Sequence, residues 1–97
     1  MKQVKKIEII ADSLEINKIL AKLEANGVTG YTVIKDVIGK GERGVRGGDG
    51  LSDVLKNSLI ITVCEPGQVK AISEAVQPEL KKFGGVCLIS DAQWLDH

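Results

Sequence analysis

Hydrophobic positions along the chain switch repeatedly between a two-residue and a three-to-four-residue spacing. Residues 3–11, QVKKIEIIA, place Val4, Ile7, Ile9 and Ile10 in a β-branched run that predicts a strand. The spacing then lengthens. Ile16, Ile19, Leu20 and Leu23 fall on one face of a helix, with Asp12 as its cap and Glu15 three residues on as a capping-box partner. Asn26-Gly27 ends that helix, because glycine enters the left-handed conformation at little cost. GYTVIKDVI (30–38) predicts a second strand and NSLIITVCE (57–65) a third, apolar enough to be central in its sheet. Pro66 stands where a first helical residue would. After it Val69, Ile72, Ala75, Val76 and Leu80 share a helical face, and Pro78 is expected to kink or shorten the last turn. GGVCLISDAQWL (84–95) predicts a fourth strand with a short tail.

The order strand–helix–strand–strand–helix–strand predicts an α+β, ferredoxin-like (βαββαβ) sandwich. Its four-stranded antiparallel sheet carries both helices on one face. Ile9, Val33, Ile61, Val63 and their neighbours cannot all point at two helices. The opposite face is therefore expected to be apolar and uncovered, which predicts a homo-oligomer.

Composition narrows the partners. Ninety-seven residues make one domain over 1–97, and a chain of this size buries only about 60–65% of its unfolded surface, so association would help it. Thirteen basic residues balance thirteen acidic ones. That balance argues against nucleic-acid backbone binding and against a basic membrane-surface helix. The lysines of MKQVKKIEIIADS are followed by an apolar run that Glu8 interrupts and Asp12 ends. No cleavage site follows and no run is long enough to span a bilayer, so a cytoplasmic location is expected. Cys64 and Cys87 lie in apolar runs without metal-ligand spacing and are expected to be reduced core thiols.

IGKGERGVRGGDGLSD (38–53) stands apart. It holds glycines 39, 41, 44, 47, 48 and 50 and both arginines of the chain, Arg43 and Arg46. A connection of roughly 39–56 is far longer than a hairpin requires, and such loops tend to be functional. Glycine lets backbone N–H groups approach a ligand, and arginine offers a permanently charged fork that matches phosphate oxygens. Lys40, Arg43 and Arg46 recur every third residue, a spacing that lets them converge on one anion within a nest of N–H groups. Glu42, Asp49 and Asp53 weaken that field, and a solvated loop is the plain alternative. The segment has neither the Walker spacing nor a following helix, and so is not a dinucleotide fingerprint either.

GYTVIKDVIGKGERGVRGG resembles the strand-and-loop junction of the PII signalling superfamily, in which a Gly-[Met/Tyr]-Thr-Val strand runs into the glycine-rich start of a long T-loop. It is most similar to PII-like proteins of the bicarbonate-transporter regulator type (the SbtB group), with Gly-Lys-Gly and two arginines separated by two residues. FGGVCLISDAQWL resembles that group's fourth strand. The resemblance implies a homotrimer with an adenine nucleotide in each cleft between neighbours, and residues 38–56 acting as the T-loop. Arg43 and Arg46 would contact phosphates, with Lys40 alongside. Gly41, Gly84 and Gly85 would approach through their backbone, and Tyr31 and Thr32 would line the cleft near base and ribose. The ordered T-loop would dock on a partner protein such as a membrane transporter, and bicarbonate would be a second ligand.

Departures from the pattern limit what carries over. The segment 38–56 has no tyrosine, so the uridylylation site of the PII proteins is missing. Their basic loop is replaced by the shorter KKFGGV, and the tail ends DAQWLDH without an arginine pair or redox cysteine. With fewer cations to neutralise phosphate, AMP, ADP or cyclic AMP is favoured over ATP. The CutA group shares fold and trimer and is the rival, as a metal-binding or structural trimer without nucleotide. No ligand-spaced cluster supports a metal, and His97, the single histidine, is terminal. With no nucleophile placed beside a histidine, no enzyme is expected. Trp94 is expected either to anchor a subunit contact or to fill a plain edge position.

Overall fold

The structure, a computed structural model, describes residues 1–41, 44–46 and 56–97, the backbone alone at 41 and 44–46. Strands β1 (Lys2–Asp12), β2 (Thr32–Val37), β3 (Gly39–Gly41), β4 (Gly44–Arg46), β5 (Asn57–Cys64) and β6 (Val86–Trp94) are joined by helices α1 (Ile16–Ala25) and α2 (Val69–Phe83). The four long strands form one sheet in the order β2-β5-β1-β6, every neighbour antiparallel. This is the ferredoxin-like topology expected from the hydrophobic pattern, with β5 central.

Each helix is placed by its apolar face. Ile16, Ile19 and Leu23 of α1 are buried with Ile72 and Val76 of α2, and Leu20, Val69 and Leu80 pack around them. They close over Ile7, Ile9 and Ile60, each fully buried, and over Cys64, with Val33 and Cys87 at the margin. Of the four residues that could not all face the helices, Ile9 and Val33 therefore belong to the helix side. Parity decides it: Ile9 pairs with Ile60, and Ile60 with Val33, so all three share one side of the pleat. The other side carries Ile34, Leu59, Ile61, Val63, Val86 and Leu88. Of these, Ile34, Val86 and Leu88 are 45–59% exposed.

Local chemistry sets the boundaries. Asp12 accepts from the Leu14 amide at 3.0 Å and caps a single 3-10 turn, Ser13–Glu15, that leads directly into α1. Glu15 lies 3.2 Å from Lys18 Nζ. Gly27, at φ +92°, ends α1 as expected. Pro66 opens the turn before α2, where the Glu65 amide donates to Gln68 Oε1 at 2.8 Å. Pro78 does not shorten α2, which continues to Phe83. Pro78 and Glu74, four residues before it, both lie exposed, so water can take the carbonyl that loses its partner.

Two features at one end of the sheet lie outside the sequence pattern. Ile34 pairs with Leu59 but Val37 pairs with Asn57, so Lys35 and Asp36 stand opposite Ser58 alone. This bulge is closed by Asp36 at φ +60°. Beyond it, β3 and β4 pair as a short ribbon (Gly39 with Arg46, Lys40 with Val45, Gly41 with Gly44) inside a segment expected to lack regular structure. Among the described residues, no helix is long and apolar enough to cross a membrane.

Gly85 is locked by its surroundings. It sits at φ +121°, and a Cβ there would meet the Ile10 carbonyl oxygen at 2.6 Å. Gly85→Ala is expected to lower unfolding free energy by more than about 1 kcal/mol, since the folded chain can neither adopt that φ cheaply nor make room. Urea denaturation monitored by circular dichroism measures it.

Candidate functional site

The residues singled out by the sequence divide between the two ends of the sheet. At one end β2 finishes, β5 starts, β1 finishes and β6 starts, as the pairings Val37–Asn57, Asp12–Asn57 and Ile10–Val86 require. The segment between β2 and β5 leaves from here. Lys40 lies on the ribbon, exposed, and Arg46 stands opposite Gly39 one step along. Arg43 lies outside the described residues, and of Gly41 and Arg46 only the backbone is placed.

Gly84 and Gly85 join this end from α2. Both have positive φ, and the Gly84 N–H donates to the Leu80 carbonyl at 2.8 Å. That amide is committed to ending the helix. Ser13 ties the same end together: its amide donates to the Lys56 carbonyl at 2.8 Å, and its hydroxyl lies 2.7 Å from that of buried Ser58.

Tyr31 and Thr32 occupy the opposite end, across the length of β2, six residues at roughly 3.3 Å each. Within one chain they do not meet Lys40, Gly84 or Gly85. Thr32 is exposed and pairs with Ile61. The segment before it is held by Thr62, whose buried hydroxyl donates to the Gly30 carbonyl at 2.5 Å. The Tyr31 hydroxyl donates to Glu24 Oε1 at 2.9 Å, which fixes an exposed ring against α1. That hydrogen bond, then the nearby carboxylate charge and slight desolvation, raises the Tyr31 pKa above its ordinary 10.0.

Beside this end lies a cavity of about 380 Å³ lined by Lys2, Val4, Gly27, Thr29, Val63, Cys64, Glu65, Gln68 and Trp94. Trp94 is cross-strand partner to Lys2, and the Lys2 amine is paired with Glu65. Gln68 Nε2 reaches the Asn26 carbonyl at 3.4 Å and bridges the ends of α1 and the turn before α2. The sequence reading missed this cavity. Its walls come from five separated stretches, and the lone tryptophan was the only local sign.

Cys64 and Cys87 are both free, and burial raises both thiol pKa values, with Glu65 adding to the shift at Cys64. This disfavours the thiolate that redox chemistry needs. Among the described residues, no three His, Cys, Asp or Glu side chains cluster as a metal site.

Residues 4–96 match the family model of the nitrogen regulatory protein P-II. Among solved structures, the chain is similar to CPII, a nitrogen regulatory PII-like protein from Thiomonas intermedia K12 solved with ADP, AMP and bicarbonate. They share 28% identity over 95% of this chain and 88% of that one, with a TM-score of 0.86. The fold is shared with a PII-like signalling protein from Thermus thermophilus (20% identity, 94% and 88% covered, TM-score 0.76). It is also shared with the GlnK–ATP complex of B. subtilis (22% identity, 95% and 84% covered, TM-score 0.66). No curated protein matches the chain.

The Tyr31–Glu24 bond has a pH signature. The contribution of its neutral phenol is fully present below the ordinary tyrosine pKa and is lost as pH rises through the raised folded value. Because Tyr31 is the single tyrosine, alkaline titration of tyrosinate absorbance should give a midpoint above 10.0 in the wild type, and Glu24→Gln should bring it down.

Proposed function

The chain belongs to the nitrogen regulatory protein P-II family, and on that premise we propose that it is a trimeric sensor binding an adenine nucleotide between subunits. The observation that carries this is the division of its site residues between opposite ends of one sheet. Tyr31 and Thr32 cannot reach the group formed by Lys40, Gly84 and Gly85 within a chain, but a neighbouring copy can present one end to the other. The uncovered apolar face with Ile34 and Leu88 gives such copies a reason to associate. CPII, solved with ADP, AMP and bicarbonate, supports the ligand class.

In this reading Arg43 and Arg46 grip the phosphates with Lys40 beside them, and Gly41 and Gly85 let backbone approach. Bound nucleotide selects an ordered state of residues 38–56, which then docks on or releases a partner protein, such as a membrane transporter. The energy available to the switch is the difference in nucleotide contacts between the ordered and free loop. AMP, ADP or cyclic AMP is favoured over ATP, because few cations are at hand to offset a triphosphate. Bicarbonate stands as a second small ligand.

Calorimetry should show ADP and AMP binding more tightly than ATP. The Arg43→Ala/Arg46→Ala variant should weaken ADP by at least about tenfold, the worth of one charge-assisted hydrogen bond. Unchanged affinity in that variant would overturn the assignment. Light scattering should give three protomers per particle for the wild type, and Leu88→Asp should yield monomers, since it sets a charge on the exposed apolar face.

A further inference from the structure

We propose that Asp36 is a positioning residue: it sets the register in which β2 leaves the sheet, and through it the side from which the β3–β4 ribbon and Lys40 depart. The role given to Lys40 rests on the nucleotide reading above; the register does not. Residues 34 to 37 have two ways to pair with β5. In a continuous ladder, Ile34 opposite Leu59 would be followed by Lys35 opposite Ser58 and Asp36 opposite Asn57. The chain instead pairs Val37 with Asn57 and leaves Lys35 and Asp36 together opposite Ser58.

Side-chain chemistry selects between the two. Asn57 shares the parity of Leu59 and Ile61, so whichever residue pairs with it faces the uncovered apolar side. A continuous ladder would put the Asp36 carboxylate there, next to Ile34, and would turn Lys35 toward the side on which Ser58 is buried. The bulge leaves both charges exposed and gives the apolar side to Val37, which is half-buried. What the bulge demands is a left-handed backbone at Asp36, φ +60°, the one positive φ outside glycine among the described residues. Aspartate tolerates that conformation, whereas a β-branched residue resists it. The opposing strand is held against sliding. The Ser13 amide donates to the Lys56 carbonyl at 2.8 Å, and the Ser13 hydroxyl lies 2.7 Å from that of Ser58, so this stretch of β5 is pinned from the turn before α1. A change of register must therefore be taken up by β2, and it reaches the ribbon directly, since β3 starts at Gly39.

Cross-strand proton contacts in nuclear magnetic resonance spectra read the register, and calorimetry with ADP reads its effect. The wild type should join residue 37 to Asn57. Asp36→Gly and Asp36→Asn both accept the left-handed backbone and should keep that contact, with ADP affinity within about twofold of the wild type. Asp36→Val should join residue 36 to Asn57 with circular dichroism and light scattering unchanged. It should weaken ADP roughly tenfold, the worth of the one charge-assisted hydrogen bond lost when Lys40 departs from the other side. Asp36→Thr, β-branched without added apolar surface, should give the same readings and keeps the test valid if Asp36→Val aggregates. A contact between residue 37 and Asn57 that persists in both β-branched variants, or a shifted register with full ADP affinity, would overturn the proposal. So would a tenfold loss in Asp36→Gly, because the carboxylate and not the backbone would then be at work. Absence of heat with ADP in the wild type would remove the nucleotide reading, and the cross-strand contacts would then decide the register alone.

Discussion

The organising constraint is that the central strand β5 is apolar on both sides. Ser58, Ile60, Thr62 and Cys64 are buried toward the helices, while Leu59, Ile61 and Val63, half-buried, face the other way. Two helices can cover one side of a four-stranded sheet and no more. A large aliphatic side chain left facing water forgoes about 1.5–3 kcal/mol relative to full burial. Satisfying the second side needs another surface of matching character, and a further copy of the same chain is the surface always present. The proposed oligomer and the proposed site between its copies both answer this one shortage of cover.

The same geometry separates structural from functional causes for the glycines. At Gly84 and Gly85 the fold alone explains the residue type: α2 ends on a positive φ, and the backbone of β1 leaves no room for a Cβ. Their place at the loop end still bears on the proposed site, because a segment that ends a helix there brings backbone to the loop without a side chain. The glycines of β3 and β4 differ. Gly41 faces Gly44 across the ribbon, where two residues without side chains can come together closely.

Legibility followed range. Helix faces were readable because Ile16, Ile19, Leu23, Ile72 and Val76 recur at a spacing that only a helix converts into one stripe. The sheet order followed from the alternation of elements. The assignment of Ile9 and Val33 to a face was not readable, because Ile9 and Ile10 are adjacent and both apolar, and parity there is fixed only by pairing with Ile60. That α2 runs on past Pro78 was not readable, since the cost of a proline depends on whether the carbonyl it orphans meets solvent. The cavity was invisible because Lys2 and Trp94 become neighbours only when β1 and β6 pair, and Thr29 and Gln68 reach them only when the helix ends pack on the sheet. At the candidate site, Tyr31 and Thr32 could be named from a motif, but their separation from the glycines at 84–85 is a property of strand direction.

The irregularity at Lys35–Asp36 has a consequence for how relatives of this chain can diverge. A ladder counts in twos, and one surplus position inverts the count for everything downstream. Removing a single residue between Ile34 and Val37 would leave the sheet hydrogen bonding intact, yet would turn the root of the following excursion half a rotation about its own axis. Chains differing there by one position would share a core while aiming the same basic fingers at opposite faces of the sheet.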